Sequence, residues 1–541
     1  MRLVIVHYHL RPGGIRRVIE LAAPHLVKHA SPPITRVTLA VGEALDQPWN
    51  DAFRRSLPDV PVEFAIHPAL GYAAEHRTSA LLTRRQLRTF LDRLFGESPD
   101  LAVWAHNLGI ARNLILADEL RRACARHRAP LIAHHHDWWF DNRWQRWPEI
   151  RRSGARTLAQ VAPLTIVAGP NIHHATINRA DAAQLRPHLG KAVTWLPNLA
   201  GPLRAPRRSA LARTRAWLKD KLQADDPPVW IFPCRLLRRK NIAEALLLTR
   251  WLRPGAWLIT TGGTSSTDEQ AYAHTLERTA RAQGWPLRLG ILAHNDPNAP
   301  GVPELMGASE TVLLTSIQEG FGLPYLEAAA ARRPLVARIL PHIAPDLRQF
   351  GFRFPQSYSQ ILIHPDLFDW NVERRRQERL FRMWRALLPR PCRALVGLPA
   401  LLAADGPCPM PFSRLTLPAQ LEVLRHNPEL SWKVCQPFNP FLEPWRLQAR
   451  HRQLQLTPWP KTAARWLGGQ AYAARFLQLL RRRPSTPVSP AAARAAQADF
   501  IKAKLAPDQL YPLLWTPTKH AACRPTRIRA IDVKNSVTPC H

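Results

Sequence analysis

The chain has 541 residues, of which 46% are hydrophobic, and a formal net charge of +35 at pH 7. This length allows two or three domains, and the hydrophobic content is that of a globular protein. No apolar run is long enough to span a bilayer, and the apolar start of the chain is too short for a secretory signal, so we expect a cytoplasmic location.

The large positive charge has three explanations. Alanine, arginine and proline are abundant throughout, which favours a general compositional bias. Peripheral contact with the inner, anionic face of a membrane comes second. Nucleic acid comes third, because no RNA-recognition, zinc-finger or helix-turn-helix signature lies beside the basic runs at 238–240, 374–376 and 481–483. The seven cysteines include no CxxC pair, which argues against a zinc site or a disulfide framework.

The first part of the chain alternates apolar strands with helical stretches. This pattern predicts a parallel sheet with helices on both faces, whose ligands bind beyond the carboxyl ends of the strands. We predict strands at residues 3–7, 36–41, 62–66, 101–105, 131–135, 165–168 and 193–196.

Two of these strands end in residues suited to a ligand. The first strand leads into Gly13-Gly14, a turn whose backbone can approach a diphosphate closely, although two glycines alone are weak evidence. The strand at 101–105 is followed by His106-Asn107.

Three consecutive histidines end the strand at 131–135. His134, His135 and His136 suggest a metal, but adjacent strand residues face opposite ways and cannot all ligate one ion, so we predict no metal site. Asp137 follows, and then a cluster of tryptophans. These tryptophans can stack on a sugar acceptor, pack in the core or form a lipid-facing rim, and the sequence leaves the three alternatives open.

The second part of the chain begins with a strand at 229–233 and a basic turn. Arg235 and Lys240 lie five residues apart across this turn, where two fixed cations suit a diphosphate. Taken alone, the pair is more typical of a solvated basic turn than of a phosphate site.

The most informative segment follows a strand at 311–316. It places Glu319 and Glu327 eight residues apart around the start of a helix near Pro324. Gly320 and Gly322 let the backbone approach a ligand, and the free amides of the helix start favour an anion. Two carboxylates flanking an anion site suit a nucleotide sugar, with sugar hydroxyls at one end and ribose hydroxyls at the other. The alternative is an ordinary helix start with a capping glutamate.

This segment resembles the E-x7-E signature of retaining GT-B glycosyltransferases, the large family that includes sucrose-phosphate synthases. The resemblance implies that Glu319 contacts the donor sugar and Glu327 the ribose. It also implies a donor-binding turn between them, formed by Gly320, Phe321, Gly322 and Leu323.

Three further motifs are similar to those of the same family. His136-Asp137 resembles its His-Asp pair, which implies that His136 lies beside the reacting sugar, and Gly13-Gly14 resembles its first donor loop. Arg235 and Lys240 resemble its Arg-x4-Lys phosphate pair, although Pro233-Cys234 stands where a glycine usually precedes the arginine. Gly262, at the end of a strand that starts at Trp257, would lie near the base. The resemblance covers about residues 1–345.

We therefore expect an α/β protein of GT-B architecture, with two Rossmann-like domains facing across a cleft and a mostly helical C-terminal extension. The predicted parts are an acceptor-side domain (1–200), a linker (201–228), a nucleotide-sugar domain (229–390), a helical, proline-rich extension (391–515) and a disordered tail (516–541). Within the extension, the helix at 491–505 is the candidate to return to the first domain.

The expected function is hexosyl transfer, with retention, from a nucleotide-diphosphate sugar to an unknown sugar or lipid acceptor, without cofactor or metal. The alternatives are a nucleotide-sugar epimerase or phosphorylase on the same fold, or a basic nucleic-acid-binding protein. The sequence indicates neither the base, the transferred sugar nor the acceptor.

Overall fold

The computed structural model describes residues 1–75, 78–96, 100–264, 266–293, 296–482 and 486–515. The predicted disordered tail, 516–541, lies outside the described residues, as does Arg483 of the basic run at 481–483.

The first half of the chain forms a seven-stranded parallel sheet in the order β3-β2-β1-β4-β5-β6-β7. Its strands are β1 (Arg2–Val6), β2 (Arg36–Val41), β3 (Val62–Ile66), β4 (Leu101–His106), β5 (Leu131–His135), β6 (Ile172–Thr176) and β7 (Val193–Trp195).

The second half forms a six-stranded parallel sheet in the order β10-β9-β8-β11-β12-β13. Its strands are β8 (Val229–Phe232), β9 (Trp257–Thr260), β10 (Leu287–Arg288), β11 (Thr311–Leu314), β12 (Leu335–Arg338) and β13 (Gln356–Tyr358). A small antiparallel pair, β14 (Leu362–Ile363) and β15 (Met410–Pro411), follows.

Helices connect the strands and cover both sheets. Those of the first half are α1 (Gly14–His29), α2 (Gln47–Arg55), α3 (Ala80–Gly96), α4 (Leu114–Arg126), α5 (Trp147–Arg152), α6 (Leu158–Thr165) and α7 (Arg179–Leu189). Then come α8 (Arg208–Leu222), α9 (Ile242–Leu252), α10 (Thr267–Ala282), α11 (Val302–Ala308), α12 (Leu323–Ala330) and α13 (Ala344–Phe350).

The C-terminal region is almost entirely helical. Its helices are α14 (Trp370–Leu387), α15 (Ala400–Ala403), α16 (Leu417–Arg425), α17 (Pro428–Cys435), α18 (Leu442–Arg450), α19 (Ala464–Leu467), α20 (Gly469–Arg481) and α21 (Pro490–Lys504). The predicted architecture of two Rossmann-like sheets with a helical extension is thereby confirmed.

The strand order of each sheet determines where a ligand can bind. The central strands are buried on both faces, so they read as continuous apolar runs such as Leu3 to Val6. In both sheets the winding direction reverses between two central strands, β1 and β4 in the first and β8 and β11 in the second. Such switch points leave a crevice at the carboxyl ends of the strands. The predicted site residues follow strands at or next to these two points.

One predicted strand is wrong. The segment 165–168 is the buried end of α6 and the turn after it, and the strand lies at Ile172–Thr176 instead. Ile166 and Val167 are fully buried, and a short buried apolar run at a helix end has the same hydrophobic pattern as a strand. The observed strand contains His173 and His174, which interrupt the apolar pattern by which a buried strand is recognised in a sequence.

The C-terminal extension returns to the first sheet through two helices. The predicted one, α21, packs against α6 and α7, where Phe500 and Ile501 are buried. The second, α20, packs along α1 and was not anticipated. It starts at Gly469, where a Cβ would lie only 2.0 Å from the ring of His25.

The described part of the chain contains no helix with both the length and the apolar character needed to cross a membrane.

Because α20 packs on the first sheet, we expect its buried residues to contribute to the free energy of unfolding. Phe476 is fully buried, and its ring centroid lies 5.1 Å from that of Trp104 on β4. Phe476→Ala should therefore lower the free energy of unfolding by about 3–5 kcal/mol, measured by urea denaturation. The control Leu447→Ala changes a side chain that is 62% exposed and should have little effect. Equal stability of the two variants would show that α20 is not part of the core.

Candidate functional site

The turn between β11 and α12 forms the second sheet's side of the cleft. Gly322 caps α12 with φ of +80°, a left-handed conformation that favours glycine, and Pro324 lies in the first helical turn. Gly320 faces the first sheet, and a Cβ there would lie 2.8 Å from the carbonyl oxygen of His136. The two predicted motifs, E-x7-E and His-Asp, therefore meet across the cleft.

Glu319 is the centre of a buried ion-pair network. Its carboxylate accepts hydrogen bonds from Lys240 Nζ through one oxygen and, at 3.0 Å, from Arg239 Nη1 through the other. Glu319 and Lys240 are 8% and 7% exposed. Burial alone raises the pKa of Glu319, but the charges of Lys240 and Arg239 lower it to about 2, so the carboxylate is ionised at neutral pH.

Hydrogen bonds to the backbone carbonyls of Lys240 and Arg239 also hold the two turns of this network together. The Thr315 hydroxyl donates to the Lys240 carbonyl at 3.0 Å, and the Ile317 amide donates to the Arg239 carbonyl at 2.9 Å. The basic turn after β8 and the acidic turn after β11 are thus tied together beside the switch point.

Arg235 differs from its two basic neighbours. It is exposed, and no hydrogen bond or ion pair joins it to another described residue. It packs beside Gly262, where a Cβ would lie 3.0 Å from Arg235 Cγ. The predicted phosphate and base residues are therefore neighbours, and Arg235 is available to an anion.

Glu327 faces the first domain from one turn inside α12. Burial raises its pKa, whereas the charges of Lys240 and Arg17 act in the opposite direction. Arg17 lies on the first turn of α1, directly after Gly13 and Gly14. Both glycines are exposed; a Cβ at Gly14 would meet nothing within 4 Å, and one at Gly13 would meet only the Arg11 carbonyl oxygen, at 3.8 Å. The predicted first donor loop therefore borders the cleft on the side of Glu327.

Asn107 holds the His-Asp turn in place. This residue adopts a left-handed conformation, with φ of 62°, and its Oδ1 accepts the amides of His136 and Asp137 at 3.1 and 3.0 Å. Burial alone raises the pKa of Asp137, but the charges of Arg143 and Arg239 lower it overall. Arg239 thus lies close to carboxylates from both domains.

The histidines divide between the two faces of the sheet, as predicted. His135 points to one side, where its Nε2 lies 2.9 Å from His174 Nδ1. His134 and His136 point to the other side and join His106, with His136 Nε2 lying 3.1 Å from His106 Nδ1. Burial lowers the pKa of His136 to about 4, so its imidazole is neutral at pH 7.

His106, His134 and His136 are also the residues that could hold a metal. They offer ligand nitrogens within 4.8 Å of one another, and three neutral imidazoles are a donor set that zinc accepts. Alternation along one strand prevents three consecutive histidines from binding one ion, but His106 from the neighbouring strand lies on the same face as His134 and His136. The expectation of no metal therefore stays a prediction.

The side chains of two predicted donor residues pack against the rest of the protein. Phe321 is 6% exposed and packs in the core, with its ring centroid 6.3 Å from that of Phe350. Leu323 is half-buried as the first residue of α12.

The tryptophans after Asp137 pack in the core, which is one of the three alternatives left open by the sequence. Trp138, Trp139 and Trp144 are all 0% exposed, and Trp138 donates to Asp181 at 2.9 Å. The chain around them is anchored by the C-terminal extension, because Lys504 on α21 forms an ion pair with Asp141 at 2.6 Å.

Sequence reasoning missed Arg239 and Asn107. In the sequence Arg239 belongs to a basic run, and its position beside Lys240 at the strand-to-helix turn is the signal that could identify it. The sequence shows Asn107 only as a polar residue after a strand. Its role requires a left-handed backbone, which asparagine tolerates better than most residues.

The part of the chain that contains the second sheet is similar to a known protein family. Residues 214–344 match the model of the family described as "Glycosyl transferases group 1". The matched stretch starts in α8, ends at the first residue of α13 and contains Arg235, Lys240, Glu319 and Glu327. This part of the chain is therefore similar to a glycosyltransferase domain.

A sequence relative extends the similarity. The mannosylglucosyl-3-phosphoglycerate synthase of Petrotoga mobilis is 24% identical over 351 residues, which are 62% of this chain and 65% of that synthase. The match thus spans slightly less than two thirds of the relative's length.

Solved structures show weaker likeness. Anabaena Alr3699/HepE in complex with UDP and glucose is 17% identical, with a TM-score of 0.44 over 64% of this chain and 83% of that one. OtsA in its apo form is 13% identical, with a TM-score of 0.47 over 89% and 99% of the two chains.

The Glu319 network predicts a specific dependence of stability on pH. Because the folded-state pKa of about 2 lies below the ordinary value of 4.5, its stabilisation is complete above pH 4.5 and is lost as the pH falls towards 2. The difference corresponds to about 3 kcal/mol. Glu319→Gln should lower the free energy of unfolding by about that amount at pH 7 and by much less near pH 2.

Urea denaturation at several pH values measures this difference. Glu378→Gln is a suitable control, since that side chain is 48% exposed on α14, and its effect should stay within about 0.5 kcal/mol. A gap between wild type and Glu319→Gln that does not shrink below pH 4.5 would show that Glu319 is not stabilised as an anion.

Proposed function

We propose that this protein transfers a sugar from a nucleoside diphosphate sugar to an acceptor with retention of the anomeric configuration. The observation that carries the proposal is that the Glu319–Gly322 turn meets the His136–Asp137 turn across the cleft. The cations of Lys240 and Arg239 lie beside this meeting point, bound to Glu319. The match of residues 214–344 to the glycosyltransferase family model supports it.

The donor diphosphate would bind at the switch point of the second sheet. Arg235 is exposed and without a described partner there, and its guanidinium fork fits phosphate oxygens. Lys240 has three N–H donors, of which Glu319 takes one, so it can contact a phosphate without leaving the network. The amides that start α12 add partial positive charge.

Glu319 then has two tasks. It holds Lys240 and Arg239 in position, and the remaining lone pairs of its carboxylate can accept hydroxyls of the donor sugar. Glu327, one turn further along α12, would accept the ribose hydroxyls.

The first domain would supply the acceptor side. The neutral His136 imidazole uses Nε2 towards His106, which leaves Nδ1 as the atom for a hydroxyl of the reacting sugar. Asp137, ionised between Arg143 and Arg239, would help to orient the two substrates.

The reaction needs little proton-transfer machinery from the protein. The bond from the anomeric carbon to the diphosphate oxygen breaks, the acceptor oxygen bonds to the same face, and the acceptor proton passes to the leaving diphosphate. Fixed cations stabilise the negative charge that develops on the leaving group, a large source of rate enhancement.

Activity assays test the proposal directly. Purified protein incubated with UDP-, GDP- and ADP-sugars and a panel of acceptors should release a nucleoside diphosphate, and NMR of the product should show the donor's anomeric configuration. Sugar isomerisation without an acceptor, or a requirement for free phosphate, would instead identify an epimerase or a phosphorylase. Salt-sensitive binding of nucleic acid at physiological salt, without any nucleotide-sugar activity, would favour a nucleic-acid-binding protein.

The phosphate contacts make a prediction about affinity. Arg235→Gln and Lys240→Ala should each weaken binding of the nucleoside diphosphate by about tenfold or more, because each removes a charge-assisted hydrogen bond. Binding of the nucleoside alone should change little. Calorimetry with both ligands measures the difference, and Arg281→Gln, whose side chain is 79% exposed on α10, is the control. Equal losses for nucleoside and diphosphate would remove these residues from the phosphate site.

The ribose contact makes a separate prediction. If the Glu327 carboxylate accepts the ribose 2′-hydroxyl or 3′-hydroxyl, wild type should bind the ribonucleoside diphosphate more tightly than the 2′-deoxy or 3′-deoxy form. A hydrogen bond to a charged acceptor is worth about 1.5–3 kcal/mol. Glu327→Gln should remove most of this preference. An unchanged preference in the variant would place the ribose elsewhere.

A further inference from the structure

Three arginines gather at the carboxyl edge of the first sheet, across the cleft from the proposed donor contacts on the second. Arg112 lies in the connection from β4 to α4, and Arg143 and Arg146 lie between β5 and α5. Arg112 and Arg146 lie near Tyr72, and Arg143 pairs with Asp137 of the His-Asp turn.

The Arg112 guanidinium stacks on an aromatic ring, and some of its N–H groups lack a hydrogen-bond partner among the described residues. Its Cζ lies 4.7 Å from the centroid of Tyr72, and its Nε is buried without a partner among the described residues. Its ion-pair partner is Glu149, at a long 3.8 Å, and that side chain is 43% exposed. Stacking therefore fixes the plane of this guanidinium while part of its hydrogen-bonding capacity stays open.

Arg143 and Arg146 are also incompletely paired. Arg143 reaches Asp137 at 3.3 Å and the Trp138 carbonyl at 3.3 Å. The Arg146 guanidinium donates only a long hydrogen bond of 3.5 Å to the Ile110 carbonyl among the described residues, and no described carboxylate lies within ion-pair distance of it.

The local charges do not balance. Three guanidiniums share two carboxylates, and one of these, Asp137, also faces Arg239 from the second domain. Burial lowers the pKa of Arg146 strongly, and the charges of Arg143 and Arg112 lower it further. Gathering half-buried cations in this way destabilises the empty protein, and an anion bound between them would reverse the effect.

The chemistry and charge of the three guanidiniums favour a phosphate monoester. Guanidinium forks match phosphate oxygens in pairs, and a dianion balances several arginines at once. The cluster lies on the first sheet, which carries the proposed acceptor side, and the proposed donor diphosphate site lies on the second. The two sites adjoin across the cleft, since Tyr72, on which Arg112 stacks, and Asp137 both influence the pKa of Arg235. Because the three arginines extend from the acceptor-side domain, a phosphate bound by them is assigned to the acceptor.

We propose that the acceptor carries a phosphate monoester, and that Arg112, Arg143 and Arg146 bind it beside the His-Asp turn. The inference rests on the proposed function, in which the first domain binds the acceptor. The phosphate would anchor the acceptor and bring its hydroxyl towards the anomeric carbon of the donor.

Binding measurements on the full chain test this inference without turnover. The donor site is first saturated with the nucleoside diphosphate that the activity screen selects. Inorganic phosphate and glycerol 3-phosphate are then titrated by calorimetry at constant ionic strength, with glycerol as the uncharged control. Wild type should bind both phosphates saturably and glycerol not at all.

The variants are Arg146→Gln, Arg146→Lys and Arg112→Gln. Each glutamine variant should weaken glycerol 3-phosphate binding by about tenfold or more and leave nucleoside diphosphate affinity within about twofold. Arg146→Lys should also weaken it, because the charge remains but the fork is lost. Arg122→Gln, with a side chain 47% exposed on α4, is the matched control and should change neither affinity. Melting temperatures establish that each variant is folded.

A vesicle-binding assay distinguishes a soluble phosphate monoester from the phosphate of a lipid headgroup. Binding of glycerol 3-phosphate without capture by phosphatidylcholine vesicles containing phosphatidic acid assigns a soluble acceptor. Capture that requires phosphatidic acid and is lost in Arg146→Gln assigns a lipid acceptor.

Three results would overturn the inference: no saturable phosphate binding by wild type, unchanged binding in both glutamine variants, or competition between phosphate and the nucleoside diphosphate. The last would make these arginines part of the donor site. Failure of the protein to bind any nucleoside diphosphate would instead refute the proposed function.

Discussion

The buried carboxylate of Glu319, with Lys240 and Arg239 bound to it, is the interaction on which the site depends. A buried lysine without an anionic partner is strongly unfavourable, so the ion pairs hold the turn after β8 against the turn after β11. That attachment fixes where α12 begins and directs Gly320 at the first domain. It also keeps two cations concentrated at the place where a diphosphate would enter.

The two sheets contribute complementary parts around this network. The first sheet presents a turn held by Asn107, and its His136 carbonyl reaches so close to Gly320 that a side chain there would not fit. Asn178 adds a contact of 3.2 Å to the Gly320 carbonyl, and Arg179 pairs with Asp346 at 2.8 Å. These contacts hold the two sheets close together beside Gly320.

The C-terminal extension has a structural role in this arrangement. Helices α20 and α21 pack on the first sheet after the chain has completed the second, and Lys504 of α21 pairs with Asp141 just behind the His-Asp turn. The large positive charge of the chain also has a local component, since arginines line both sides of the cleft around few carboxylates.

Much of the fold was predictable because buried parallel strands are continuous apolar runs bounded by polar turns. The helix at 491–505 and the positions of the motifs around Glu319 and His136 were also predictable, since strand ends at a switch point collect ligand residues. The strand at Ile172–Thr176 was missed because two histidines interrupt its apolar pattern. The pairing of Arg239 with Glu319 and the grouping of Arg112, Arg143 and Arg146 were not predictable, because they join residues far apart in sequence.

A crystal structure of the protein with its nucleoside diphosphate tests the central claim most directly. The account predicts phosphate oxygens within about 3 Å of the Arg235 guanidinium and Lys240 Nζ, with the ribose hydroxyls at Glu327 and Lys240 still bound to Glu319. A nucleotide bound at any other place on the chain, or a Lys240 that leaves Glu319 when the ligand enters, would contradict it.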